Sequence, residues 1–232
     1  FFLMIRRQPR STLFPSSTLF RSHLVIGNIP DVTLVPYLQP AALILAEYSA
    51  VTHLPVATLS ALFGITAGDF VTPAGLTQIS AILGGTQTTP ITDPGVLTAA
   101  EAVTVKANVT AYNQVIAQQA QSAGATLVDI NALFTQIAAS GLTINGYTGT
   151  TSFLGGIFSL DGIHPSNTGY AVVANKFIDT MNASINTKIP DIALAPIAAT
   201  DPLWPPNLVP HARPLIMPAS AARQVETILQ RQ

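Results

Sequence analysis

Charge is what this chain has least of. Only 9% of its 232 residues are Asp, Glu, Lys or Arg, against about 25% in an ordinary soluble domain. This is not the deficit of a disordered chain, which pairs low hydrophobicity with high charge. Here 48% of the residues are apolar, enough for a substantial core. Cysteine is absent, which excludes disulfides, thiolate nucleophiles and Cys-ligated metals. Long apolar runs are absent too. The best stretch, residues 41–65, is interrupted by Glu47, His53 and Pro55, so no membrane span is expected. Basic residues almost vanish from the middle of the chain. Between residues 23 and 212 there are only Lys106, Lys176 and Lys188, against ten acids, a formal charge of −7 there. Nucleic acid is bound through a basic stripe that neutralises phosphates, and this stretch has none.

Residues 1–22 stand apart. They hold four of the ten basic residues and repeat Ser-Thr-Leu-Phe at 11–14 and 17–20. The pair Arg6-Arg7 follows the apolar residues instead of preceding them, so a twin-Arg export signal fits poorly. The segment resembles a translated sequencing adapter and is left out of the fold reasoning. Residues 191–232 form a second distinct stretch. Eight prolines fall from Pro190 onward, which predicts a tail outside the regular core, closed by a helix over 219–229.

The body between them reads as α/β. His23–Asn28 is an apolar run without alternation, as in a buried parallel strand. Helices are predicted over 40–53, 55–63 and 76–83, the last inside an irregular stretch from 66 to 97. Thr98 and Glu101 form a capping box ahead of a helix to Ala123, with Val105, Val109, Tyr112, Ile116 and Ala120 on one face. Gly124 ends it. Thr126–Ile130 reads as a second strand, and Asn131 as the cap of a helix over 132–140. Strand, helix and strand in that order predict a parallel βαβ pair. Residues 142–163 read as a loop. The last helix spans 167–185 with Ser166 as its cap and Tyr170 and Phe177 on its core face.

The chemistry concentrates at Asp161-Gly162-Ile163-His164-Pro165. Gly162 permits a sharp turn, and an Asp and a His three apart on that turn can meet. The carboxylate would then fix Nδ1 and leave Nε2 of His164 as a general base. A metal reading of the pair lacks a third ligand at any telling spacing. Asn28 and Asp129 close the two strands, where open α/β sheets place ligands, although Asp129 suits a loop cap better. His53 and His211 lie beside prolines without partner motifs.

The string FSLDGIHPSNTGYAVVANKFIDTMN resembles the C-terminal block of the SGNH (GDSL-type) esterase and lipase family. VIGNIPDVTLVPYL and GATLVDINALF are similar to its fourth- and fifth-strand regions, and the likeness spans about residues 23–190. It implies the C-terminal part of a flavodoxin-like three-layer α/β/α fold, with about two parallel strands and their helices. It also implies a serine esterase with His164 as base and Asp161 as its partner. The implied substrate is an ester, with no cofactor or metal.

The nucleophile does not carry over. No Gly-Asp-Ser run occurs: Gly68-Asp69 is followed by Phe70. Nor is there a G-x-S-x-G elbow. Gly27-Asn28 lacks the second Asn of the family's oxyanion block. The chain is therefore expected to be a fragment of an extracytoplasmic ester hydrolase, inactive alone. The alternative is a non-catalytic binding module on the same fold, for which keeping Asp161 and His164 has no purpose. Two parallel strands leave an open apolar edge in a charge-poor chain, so the isolated chain should self-associate in sedimentation. A monodisperse, cooperatively melting monomer would contradict this.

Overall fold

The computed structural model describes residues 23–208 and, beyond them, residues 217, 218, 220 and 223. The segment 1–22 and His211 lie outside the described residues, as does all of 219–229 except Ser220 and Arg223. In chain order, β1 (Val25–Gly27) leads through a 3-10 turn (Val32–Leu34) to β2 (Gln39–Pro40). Then come α1 (Ala41–Thr52), α2 (Val56–Phe63), β3 (Phe70–Val71), α3 (Pro73–Leu83) and β4 (Val96–Leu97). The long helix α4 (Ala99–Ala123) is followed by β5 (Thr126–Val128), α5 (Ile130–Ser140), β6 (Leu142–Ile144) and β7 (Tyr147–Gly149). The described chain closes with α6 (Asn167–Ile185), α7 (Leu194–Thr200) and a 3-10 turn (Pro205–Asn207).

The predicted βαβ unit is present. Strands β1 and β5 pair in parallel, with Val25 opposite Thr126 and Gly27 opposite Val128. Helix α4 connects them with both predicted ends. Thr98 and Glu101 form the reciprocal capping box, and Gly124 ends the helix at φ 63°. Its inward face differs from the predicted stripe at one place. Tyr112 is exposed, and Asn113 takes the inward position. Its side-chain amide accepts from Ile29 N–H and donates to Ile29 C=O, both at 2.8 Å. Satisfying both backbone groups of a loop residue outweighs burying one phenol ring.

The cap of α5 is Asp129, not Asn131. The Asp129 carboxylate accepts from Ala132 N–H at 2.9 Å, and the helix begins two residues earlier than predicted. Asn131 instead donates to Ile29 C=O at 3.0 Å.

Two stretches expected to be irregular contain short sheets. Strands β2, β3 and β4 form an antiparallel trio. Strands β6 and β7 form a hairpin whose turn, Asn145-Gly146, has positive φ at both residues. That is the Asn-Gly signature of a type I′ turn. Two-residue strands carry too little alternation to show as a pattern.

Two apolar clusters fill the interior. One gathers α1, α2 and α3 around Ile44, Leu45, Leu59, Phe63 and Ile79. The other lies under the parallel pair, around Val128, Phe134, Ile157, Val172 and Trp204. Helix α6 meets the second cluster through Val172, and Val173 and Phe177 pack against it. Tyr170, predicted to be core, is exposed.

The Pro-rich tail also departs from expectation, because it enters the core. It forms α7, and Ala198, Asp201 and Trp204 are each at most 2% exposed. The prolines limit the helix to seven residues but leave Trp204 free to insert. Its ring lies over Gly149 and Gly156, so closely that a Cβ on Gly149 would fall 2.7 Å from Cη2. Asp201 accepts from both the backbone N–H and the hydroxyl of buried Thr168, each at 2.7 Å.

Removing a buried aromatic leaves a cavity that costs about 3–5 kcal/mol. Trp204→Ala is therefore expected to lower the unfolding free energy by about that amount in urea titration. A loss below about 1 kcal/mol would show that the tail does not seal the core.

Candidate functional site

The turn between Ser159 and Ser166 is built by backbone bonds. Phe158 and Pro165 form an antiparallel bridge. Ser159 N–H donates to His164 C=O at 2.7 Å, and Gly162 N–H donates to Ser159 C=O at 3.0 Å. Gly162 sits at φ +73°, a left-handed conformation that a side chain disfavours. It is also pressed against the loop after β1. Tyr37 N–H donates to Gly162 C=O at 2.9 Å, and a Cβ on Gly162 would fall 2.7 Å from that same nitrogen. Glycine is required here on both counts.

Helix α6 follows immediately, and its first turn is fully engaged. Ser166 Oγ accepts from Gly169 N–H at 3.0 Å and donates to Gly156 C=O at 2.6 Å. Asp201 takes the N–H of Thr168, which places a carboxylate at the positive end of the helix dipole. The His164 backbone is thus held between a bridged turn and a doubly capped helix.

The structure brings Asp161 and His164 together as the spacing predicted. His164 Nδ1 lies 2.6 Å from Asp161 Oδ2. The two carboxylate oxygens divide the work. Oδ1 accepts from Ser159 Oγ at 2.6 Å, Ile163 N–H at 2.9 Å and His164 N–H at 3.0 Å. Oδ2 is left for the imidazole. Burial pushes the Asp161 pKa up, but the bonds from Ser159, Ile163 and His164 outweigh it and bring it down to about 2. A carboxylate held ionised can only accept, so Nδ1 carries the hydrogen. Nε2 is then the basic nitrogen, on a ring whose side chain is 56% exposed. Among the described residues no hydrogen bond reaches Nε2.

Ser159 is a participant that the sequence reading passed over. Its signal is local: a hydroxyl two residues before an Asp can bond that carboxylate. The contribution of Tyr37 had no such signal, because it comes from a loop more than a hundred residues away.

Asn28 and Asp129 do lie at the ends of the two strands, and they bind each other. Asn28 Nδ2 donates to Asp129 Oδ1 at 2.8 Å, and Asn28 Oδ1 accepts from Asn131 N–H at 2.9 Å. They form a clasp between β1 and α5. His53 serves as a left-handed helix end, φ 59°, with its N–H on Ser49 C=O. Among the described residues no three His, Asp or Glu side chains cluster closely enough to hold a metal. The loop after β1 also borders a cavity of about 280 Å³ lined by Leu34, Val35, Leu38, Phe70 and Phe153, with Lys106 its one charged wall.

The low Asp161 pKa sets an expectation for solution. Stability from its bonds is complete above the ordinary value of 3.8 and is lost as pH falls through about 2. The Asp161 carboxyl resonance should therefore titrate near 2 in a carbon-detected NMR series, and in Ser159→Ala its midpoint should rise. A midpoint at or above 3.8 would mean that the network does not form.

No curated protein and no solved structure matches this chain. The model of one protein family does, described as GDSL-like Lipase/Acylhydrolase, and it matches residues 33–177. That is more than half of the chain, and it takes in part of the loop after β1, Asp129 and Asn131 of the clasp, and the Asp161–His164 turn. The α/β architecture with its parallel pair agrees with that family's fold, and the chain belongs to the GDSL-like lipase/acylhydrolase family.

Proposed function

We propose that this chain supplies the acid–base half of a serine esterase acting on carboxylic esters. The observation that carries the reading is the 2.6 Å contact between His164 Nδ1 and Asp161 Oδ2, with Nε2 left open. In such a site a serine hydroxyl attacks the ester carbonyl while its proton passes to Nε2. Asp161 stabilises the imidazolium that forms, without taking the proton itself. The imidazolium then protonates the leaving alcohol, and an acyl-enzyme remains. Water attacks that acyl group with Nε2 again as base, releasing the acid and restoring the serine.

The serine itself has to come from sequence beyond these 232 residues. The two serines nearest to the pair in sequence are already committed, Ser159 to Asp161 and Ser166 to Gly156 and Gly169. No Gly-Asp-Ser run is present to provide another. Without nucleophile and oxyanion donors the acyl-enzyme cannot form, so the chain alone is inactive.

Two measurements test this. The 232-residue chain should give no turnover of p-nitrophenyl esters and take no label from a fluorophosphonate probe. Serine-type turnover by it would overturn the reading. In a longer gene product that carries a Gly-Asp-Ser block, His164→Ala should lower kcat/KM by about 10²–10⁴-fold. Asp161→Asn should also lower it, and retained activity in both variants would place the chemistry elsewhere.

A further inference from the structure

Helices α1 and α2 form a hairpin that is apolar on both faces. Its inner face is packed: Ile44, Leu45, Leu59 and Phe63 are at most 1% exposed, and Tyr48 meets Phe63 edge-on at 5.9 Å. Its outer face and tip are apolar as well. Val51 is 72% exposed, and Leu43, Leu54, Val56 and Leu62 are all exposed. From Tyr48 to Gly68 there is no Asp, Glu, Lys or Arg. A helix apolar all round is ordinarily buried in a core or in lipid, and scattered single exposed residues would need no explanation. At the tip of the bent pair the exposed residues run unbroken from His53 to Thr58, with Leu54 and Val56 among them.

We propose that the α1–α2 hairpin is a lipid-docking element that seats its tip in the surface of an uncharged, zwitterionic phospholipid bilayer. Three observations favour lipid over a protein partner. A protein interface surrounds its apolar centre with a polar rim, and this hairpin has only the half-buried Glu47 to contribute a charge to one. Part of the bend's backbone is also satisfied internally. His53 N–H donates to Ser49 C=O, Leu54 N–H to Thr52 Oγ1, and Ser49 Oγ to Leu54 C=O. Pro55 has no N–H, and its carbonyl accepts from Thr58 and Leu59. Backbone entering lipid must be satisfied in this way. Finally, although no single described helix is long and apolar enough to cross a membrane, these two together reach that length and composition, bent by 115°. That geometry suits shallow insertion of the tip.

Charge selects the kind of lipid. Residues 23–208 carry three lysines against ten acids, so an anionic surface would repel the part of the protein that bears the hairpin, and the seven arginines outside it still leave the full chain at −1. The inference goes beyond ester hydrolysis and does not rest on it, since docking needs neither His164 nor a nucleophile.

The test is flotation of the full chain with phosphatidylcholine vesicles. Wild type should float. Val51→Glu combined with Val56→Glu should lower the bound fraction at least tenfold, as charges at such a tip are costly. Val103→Glu should not, because Val103 is equally exposed but lies on α4. Replacing part of the phosphatidylcholine with phosphatidylglycerol should weaken binding. The absence of native cysteine permits a second readout. A polarity-sensitive dye on Val51→Cys should shift to the blue on vesicles, while the same dye on Val103→Cys should not. Wild type that stays with the soluble fraction would overturn the proposal, as would undiminished binding by the double variant or stronger binding to anionic vesicles. A soluble dimer that Val51→Glu splits, without vesicle binding, would assign the surface to a second copy.

Discussion

With so few charged side chains, order in this molecule rests on neutral amides and hydroxyls that complete the backbone's hydrogen bonds. Besides the Asp161–His164 contact, Lys106 and Asp31 lie 3.8 Å apart as a partly exposed ion pair. Amides do the work elsewhere. Asn113 pairs both polar groups of Ile29, and Asn28 ties Asp129 to Asn131. Asn175 and Asn182 fix Ile192 and Ile189, laying the segment after α6 back along that helix. Gln78 holds Thr92. Such bonds are individually worth about 1 kcal/mol net. They fix register where salt bridges on an exposed surface would contribute little.

The few carboxylates that lie inward are used at particular points. Asp201 anchors the first turn of α6 from the tail, and Asp129 begins α5. Asp161 has three donors on one oxygen and one imidazole on the other. Its turn is rigid because Gly162 is wedged against Tyr37 and because α6 is capped on both sides of Thr168. The Pro-rich tail is therefore part of the support of the site, although none of its described residues bonds to the pair. The same scarcity of charge leaves the α1–α2 hairpin apolar inside and out. One compositional property thus shapes both the polar site and the greasy surface of one acylhydrolase-family domain.

Local chemistry was legible from the sequence. Thr98 with Glu101, Ser166 ahead of Gly169, and Gly124 at a helix end each declare a boundary within four residues, and each was found in place. Asp161 and His164 were legible for the same reason, since three residues around a glycine turn decide whether they can meet. The Asn145-Gly146 turn was equally local and was overlooked within a long loop. The misplaced residues have a different character. Tyr112 and Asn113 compete for one inward position, and the outcome depends on Ile29, which is distant in sequence. Asn131 lost the cap to Asp129 because the Ile29 carbonyl drew it away.

The sequence by itself determined the secondary structure of the long elements, the parallel pairing of the two strands and the contact within the Asp161–His164 turn, because each depends on neighbours within a few positions or on an unbroken apolar run. Only the tertiary structure decided that Trp204 seals the second core over Gly149 and Gly156. It also decided that Tyr37 clamps the Asp161–His164 turn and that no other described residue covers the hairpin's outer face. Those outcomes come from surfaces brought together across many tens of residues, and no local preference of the chain encodes which distant side chain will fill a given space.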